Sequence, residues 1–440
     1  MSLDLKALAP QGYYIVALSG GADSVCLLLK MKSEGYRIEA AHCNFRLRGA
    51  ESDRDEAFCV DLCRREGIAL HLAHFDTRAF ARLHGVSIEM AARQLRYSYF
   101  GQLRCDLGAD GVCVAHHVED QVETVLLNLV RGTGLRGLTG MEERNGTIFR
   151  PMLRATRKEI ESYLSGMGQD YVVDSSNLVD DVKRNRIRLD VLPQLGQMNP
   201  SLMSDISRMA RHLSDAQRII DYDVEAWLRH NSGVVRTDNR GTYVEADILV
   251  DELLDFPSPG YLLFEMLRRF GFNGVQTEQI FAQIRHGQGR LWTSATHELT
   301  LDRGHLLVRP KEAPLRPLLI PEAGTYVHQS LRLRVERIER DEAFVLDKSA
   351  HVAMLDARLV AFPLTFRPVG SGDRFVPFGM KGSKLVSDYL TDRKRNLFQK
   401  RAQCVVNDSS GRILWLVGER TDGRFAIGDT TTEVLKISIG

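Results

Sequence analysis

Tyr13-Tyr14-Ile15-Val16-Ala17-Leu18-Ser19-Gly20-Gly21-Ala22-Asp23-Ser24-Val25-Cys26-Leu27-Leu28 decides how the first half of this chain folds. The apolar run Tyr13 to Leu18 fits a buried strand, and Ala22 to Met31 fits a helix that starts directly after a Ser-Gly-Gly turn. Two adjacent glycines allow positive φ and a close approach of the backbone to a ligand. The N–H groups of such a turn, with those of the helix start, favour a phosphate. Ser19 and Ser24 add hydroxyl donors. Asp23 should repel a phosphate, so its presence points to a bridging Mg²⁺. The turn has neither the Gly-x-x-x-x-Gly-Lys-Ser/Thr pattern nor Gly-x-Gly-x-x-Gly, so neither the usual P-loop nor a dinucleotide fingerprint is expected.

Outward from this turn the alternation continues. Arg37 to Cys43, Ile68 to Phe75 and Gly111 to Ala115 read as strands, and residues 53–66 and 119–131 as helices. Strands alternating with helices predict an α/β fold, a parallel-sheet nucleotide-binding (Rossmann-like) domain over residues 1–200. Asp170 to Ile187 reads as a polar loop. A long helix over Pro200 to Trp227 opens a mainly helical middle domain, residues 201–312, whose later part is mixed. Pro310, Pro314, Pro317 and Pro321 punctuate a linker, and residues 325–440 read as a small α+β, strand-rich C-terminal domain.

The chain has 440 residues, with 58 Lys and Arg against 57 Asp and Glu. That balance excludes a generally polybasic coat, so any nucleic-acid contact must come from local patches. Seven scattered cysteines without a Cys-x-x-Cys pair, and no signal-like start, predict a reducing, cytoplasmic setting. No apolar stretch is long enough for a membrane span.

A second constellation, Ala115-His116-His117-Val118-Glu119-Asp120-Gln121-Val122-Glu123-Thr124, falls where a strand ends and a helix begins. Ligands bind at the carboxyl ends of parallel strands. Glu119 and Glu123 share a helix face, as do Asp120 and Thr124, and the like-charge cost is offset by a cation, Mg²⁺ or a substrate ammonium. Far along the chain, Phe366 to Arg401 holds nine Lys and Arg against Asp373, Asp388 and Asp392, with Phe375, Phe378, Tyr389 and Phe398 interleaved. In a nearly neutral chain this is a local basic patch of the kind that positions RNA.

The Ser19 to Ser24 turn resembles the pyrophosphate-binding (PP) loop of the N-type ATP pyrophosphatases. Further blocks extend the match: His42-Cys43-Asn44-Phe45-Arg46-Leu47-Arg48; Glu89 to Tyr97; Ala115 to Gln121 through Arg131-Gly132-Thr133-Gly134; Arg150-Pro151; Asp174-Ser175-Ser176-Asn177; and Arg184-Asn185-Arg186-Ile187-Arg188. Together they cover most of the first 190 residues and are similar to the tRNA(Ile)-lysidine synthetase family. Phe366 to Arg401 also looks like that family's third domain. One departure is Glu119 where the family usually has Asp, so more weight falls on Asp120.

The resemblance implies an ATP-dependent ligase that adenylates the C2 oxygen of the wobble cytidine in tRNA(Ile) with a CAU anticodon. Free L-lysine then displaces AMP, and the tRNA changes from methionine to isoleucine specificity. Under this reading Ser19, Gly20, Gly21, Ala22, Asp23, Ser24, His42, Asn44 and Arg93 bind ATP. Asp23, Asp120, Glu123 and Arg184 are catalytic, and Asp120, Glu123 and His117 hold the lysine. Asp23 and Asp120 hold Mg²⁺. Arg188, Arg374, Lys381, Lys384, Arg393, Lys394 and Arg395 contact tRNA, domains 201–312 and 325–440 bind it, and a homodimer is expected. The alternatives are a PP-loop tRNA thiolase, disfavoured by the lack of Cys-x-x-Cys, and a non-catalytic RNA-binding protein, disfavoured by the intact loop.

Overall fold

The computed structural model describes residues 8–173, 182–237, 243–329, 331–341 and 344–440. The block Asp174 to Asn177 therefore lies outside the described residues. The chain forms two compact units, Met1–Asp221 and Tyr222–Gly440, with the division inside the helix Leu202–Asn231.

The first unit is built on a six-stranded sheet. Its elements run β1 (Tyr13–Ala17), α1 (Ala22–Ser33), β2 (Arg37–Asn44), α2 (Ala50–Glu66), β3 (Leu70–His74), α3 (Thr77–His84), α4 (Ile88–Leu107), β4 (Gly111–Cys113), α5 (Val118–Val130), α6 (Leu135–Leu138), β5 (Arg144–Asn145), β6 (Ile148–Phe149) and α7 (Arg157–Gly166). The strand order is β3-β2-β1-β4-β6-β5, parallel throughout except for the β5–β6 pair. The expected parallel sheet is present, with strand ends within a residue or two of those read from the sequence.

The continuous apolar character of β1 follows from burial on both faces. Tyr14 and Val16 pack with Val25 and Leu28 of α1 and with Ile160 and Leu164 of α7. Tyr13 and Ile15 face the other way, against Phe100 and Leu103 of α4. From β1 the chain steps outward to β2 and β3, then crosses back to place β4 on the other side of β1. The loops after β1 and β4 thus leave the sheet at the point where the strand order reverses, which opens a crevice there.

The region read as a polar loop before Ile187 is helical over Val182–Arg186 and continues as one wide π-turn, Ile187–Val191. Such wide turns frequently occur at functional sites.

In the second unit, the helices Val250–Leu254, Pro259–Arg268 and Gly274–Ala282 accompany an antiparallel five-stranded sheet spanning Ser232 to Pro310. The middle region is therefore helical with a sheet that the sequence reading resolved only as mixed. The linker also contributes structure: Leu318–Ile320 pairs with Leu364–Phe366. The C-terminal part is strand-rich as expected. Its five-stranded and four-stranded antiparallel sheets supply a core that includes Leu333, Val335, Leu355, Phe366, Trp415 and Leu435. Among the described residues no helix is long and apolar enough to cross a membrane.

Candidate active site

The turn after β1 is held open for a ligand by its own side chains. Gly20 adopts φ +91, a conformation L side chains rarely take. Its carbonyl accepts from Val172 N–H at 2.9 Å. Ser24 Oγ donates to Gly21 O and accepts from Ser19 N–H, at 3.0 and 3.1 Å, so the two serines tie the turn to the first helical turn. Gly21, the N-cap of α1, has no side chain to occupy the first-turn N–H groups. Ser19, Gly20, Gly21, Ala22 and Ser24 thus lie together in the turn and the start of α1.

Asp23 faces a group of charges that come from distant segments. Arg157, the first residue of α7, donates through Nη1 to both Asp23 carboxylate oxygens at 2.8 Å. His117 Nε2 lies 3.7 Å from Asp23 and 3.4 Å from Asp120. Burial pushes the Asp23 carboxyl above the ordinary carboxylate range, and His117 and Arg157 only partly oppose it.

His117 is buried, with Nδ1 2.8 Å from Glu119. Burial by itself would keep the ring neutral. The Glu119 hydrogen bond and the charges of Asp120 and Asp23 outweigh it, and the pKa rises above the usual histidine value. Glu119 and Asp120 respond in the opposite sense. Burial works against each carboxylate, but the partnership with His117 holds both below the ordinary range.

The longer reach of Glu119 has a specific use, because its carboxylate also accepts the backbone N–H of Arg157 at 3.1 and 3.2 Å. It therefore joins the second loop to the start of α7, a role the sequence reading did not assign.

Arg184 bridges the next two acids. Its Nε donates to Glu123 at 2.7 Å and its Nη2 to Asp120 at 3.1 Å. Arg188 Nε lies 3.3 Å from Glu123 Oε1, an ion-pair contact without hydrogen-bond alignment. That oxygen is buried and makes no hydrogen bond. Beside it opens a cavity of about 520 Å³ lined by His117, Glu119, Glu123, Arg157, Arg188, Leu189, Leu192, Pro193 and Met203. Carboxylates and guanidiniums beside aliphatic walls suit a ligand with an apolar stem and charged groups of both signs.

His116 was read only as part of the motif. Arg150 Nε donates to its Nδ1 at 3.2 Å, so Nε2 carries the proton of the neutral ring. Burial holds its pKa below the usual histidine value. Tyr97 of α4 lies near enough to Arg150 to favour its charged form. Arg93, assigned to ATP, is exposed on the same helix with its guanidinium 5.0 Å from the Tyr97 ring centre. Of the two β2 residues assigned to ATP, buried His42 lies with Nδ1 2.9 Å from Leu18 O, beside the turn. Asn44 is engaged locally, accepting from Arg46 N–H at 3.0 Å and donating to Glu56 at 2.8 Å.

In the second unit the basic segment is more ordered than a solvated patch. Arg395 pairs with Glu419, Lys384 with Asp392, and Arg393 lies over the Tyr389 ring. Arg374, Lys381, Arg393 and Lys394 are exposed. Phe375 and Tyr389, read as interleaved with the cations, belong to a core with Val386, Leu390, Val405 and Leu416.

Among the described residues no group of three or more His, Cys, Asp or Glu is placed to enclose a metal ion. Asp23 and Asp120 both approach His117, and both face cationic groups. Two carboxylates without a closed cage fit a cation that shares its coordination with substrate phosphates.

The sequence was compared with known proteins. Residues 4–195 match the PP-loop domain family, and residues 244–311 match the TilS substrate binding domain. A tRNA(Ile)-lysidine synthase of Parabacteroides distasonis is 42% identical over 96% of this chain and 94% of its own length. One of Bacteroides thetaiotaomicron is 43% identical over 97% of this chain and 95% of its own. One of Porphyromonas gingivalis (strain W83) is 37% identical over 97% and 94%.

The raised pKa of His117 makes stability depend on pH. The unfolded ring titrates at about 6.5, so its contribution is complete below that pH and is lost as pH rises through the higher folded value. Urea unfolding should show a midpoint that falls between pH 6 and pH 8 in the wild type and a flatter profile in His117→Gln. Parallel profiles would show that His117 is not charged in the folded protein.

Proposed function

The chain belongs to the tRNA(Ile)-lysidine synthase family, and from that membership we propose how its residues carry out the two steps of an ATP-dependent tRNA ligase. The observation that carries the reading is the meeting of two loops at the reversal of strand order, Ser19 to Ser24 after β1 and His116 to Glu123 after β4. One offers an anion cradle and the other a row of acids, as transfer of AMP to an oxygen requires.

In the first step the cytidine C2 oxygen attacks the α-phosphorus of ATP, the bond to the β-phosphate oxygen breaks, and pyrophosphate leaves. The N–H groups at the start of α1, with Ser19 and Ser24, receive the negative charge of the leaving group. Mg²⁺, held by Asp23 and Asp120 together with phosphate oxygens, would supply further charge neutralisation there. Arg157 occupies the cation position at Asp23 in this structure and is placed to turn to the phosphates. The neutral ring of His116 offers Nε2–H as an uncharged donor beside Asp120.

In the second step the lysine ε-amine attacks C2, and AMP departs with the oxygen. Glu123 Oε1, buried without a hydrogen bond, is suited to the lysine ammonium, with Leu189, Leu192, Pro193 and Met203 along its methylene stem. Arg184 fixes Glu123 and Asp120 in one orientation. Asp120 shares His117 with Asp23 and Arg184 with Glu123, and serves as the proton acceptor for the amine. Residues 201–312 and 325–440 hold the tRNA, the latter through the basic segment Phe366 to Arg401.

The thiolase alternative is not favoured. Burial pushes the thiols of Cys26 and Cys43 up to about 12 and those of Cys63 and Cys404 to about 11, away from thiolate chemistry at neutral pH.

Mass analysis of the tRNA(Ile) anticodon after incubation with ATP and lysine tests the reading directly. A lysine-dependent mass gain on the wobble cytidine is expected, and an unmodified anticodon would refute it. Asp23→Asn should slow lysine-independent pyrophosphate release by on the order of 10²-fold while tRNA affinity is retained. Undiminished release would remove Asp23 from the first step. Glu123→Gln should raise the KM for lysine by about tenfold or more and spare adenylation, because a charged hydrogen bond is lost only at the amine. An unchanged KM would place the lysine elsewhere.

A further inference from the structure

The hairpin between Arg374–Phe375 and Lys384–Leu385 carries Pro377-Phe378-Gly379-Met380-Lys381 at its tip. Its backbone is fixed. Phe378 N–H donates to Thr421 O at 3.0 Å, and Met380 N–H to Pro377 O at 2.9 Å. Val376 N–H donates to Asp422, a fully buried carboxylate that Arg424 also binds. On this fixed backbone, Phe378 is 50% and Met380 49% exposed. Arg374 and Lys381 stand exposed on either side. A rigid mount, two large apolar side chains in water and flanking cations are the composition of a stacking platform for unpaired bases. Phosphates and double-helical RNA are met by polar and charged groups and give an exposed Phe–Met pair nothing to pack on.

We propose that this tip receives the unpaired 3′ end of the tRNA, with Phe378 stacked on a base, Met380 packed beside it, and Arg374 and Lys381 on the adjoining phosphates. The inference rests on the reading of Phe366 to Arg401 as tRNA-facing. The wobble cytidine belongs to the catalytic unit, and the bases of the tRNA corner pair among themselves. The single-stranded 3′ end offers unpaired bases outside the anticodon loop that can stack on an aromatic platform.

The test uses the full chain and compares affinity for intact tRNA(Ile) with that for the same tRNA trimmed of its unpaired 3′ nucleotides, over a salt series. Phe378→Ala should weaken binding of the intact tRNA roughly tenfold with the salt slope unchanged, since stacking releases no counterions. Trimming should weaken the wild type by a similar factor and Phe378→Ala hardly further, and Phe378→Trp should bind like the wild type. Equal affinities of wild type and Phe378→Ala would overturn the proposal. So would an Ala penalty that persists in full on trimmed tRNA. Arg374→Ala and Lys381→Ala should each reduce the salt slope by about 1. Unchanged slopes in both would defeat the tRNA-facing reading itself, whatever Phe378 does.

Discussion

Burial of both faces of β1 is the constraint from which the catalytic unit follows. A strand covered by α1 and α7 on one side and α4 on the other cannot carry polar chemistry along its length. The chemistry is displaced to the carboxyl end, where the backbone turns outward through Ser19 to Gly21. Because β2 and β4 flank β1 on opposite sides, their following segments diverge, and a gap opens between them at the carboxyl end of β1.

Charge balance governs what lies in that gap. Asp23, Glu119, Asp120 and Glu123 would repel one another if left alone. Arg157, Arg184, Arg188 and the raised His117 pair with them from other elements. A site balanced in this way accepts a new cation only by releasing one it holds, and a new anion only where a cation has been freed. Ligands that bring both signs suit such a lattice of charges. Isolated charges would be costly to bury here, whereas exchanged partners are not.

The sequence revealed what is local and hid what is long-range. The strand, turn and helix from Tyr13 to Met31 were legible because strand burial, glycine φ and helix start are set within a few residues. The acids Asp120 and Glu123 were legible for the same reason. Arg157 was not, and Arg150 was seen only within a matching block, since their partners Asp23 and His116 lie far away in the chain. A partial signal existed: Thr156-Arg157-Lys158-Glu159 is a capping box that marks a helix start, and it is formed in the structure. In the basic segment, composition misled. Phe375 and Tyr389 look like RNA-facing aromatics beside so many cations, yet they close a small core, and only the fold distinguishes them from Phe378. The wide turn at Ile187–Val191 left no trace in the residue pattern.

Glu119 holds the main chain of Arg157 while Asp23 holds its guanidinium. The two ends of one residue are thus gripped by different loops. When the guanidinium is drawn off, the Cα stays where it is, and the motion is a swing about a stationary pivot. Rotamer travel of a single partly exposed side chain takes picoseconds to nanoseconds, far shorter than the movement of a loop. Charge exchange at Asp23 therefore needs no movement of either loop.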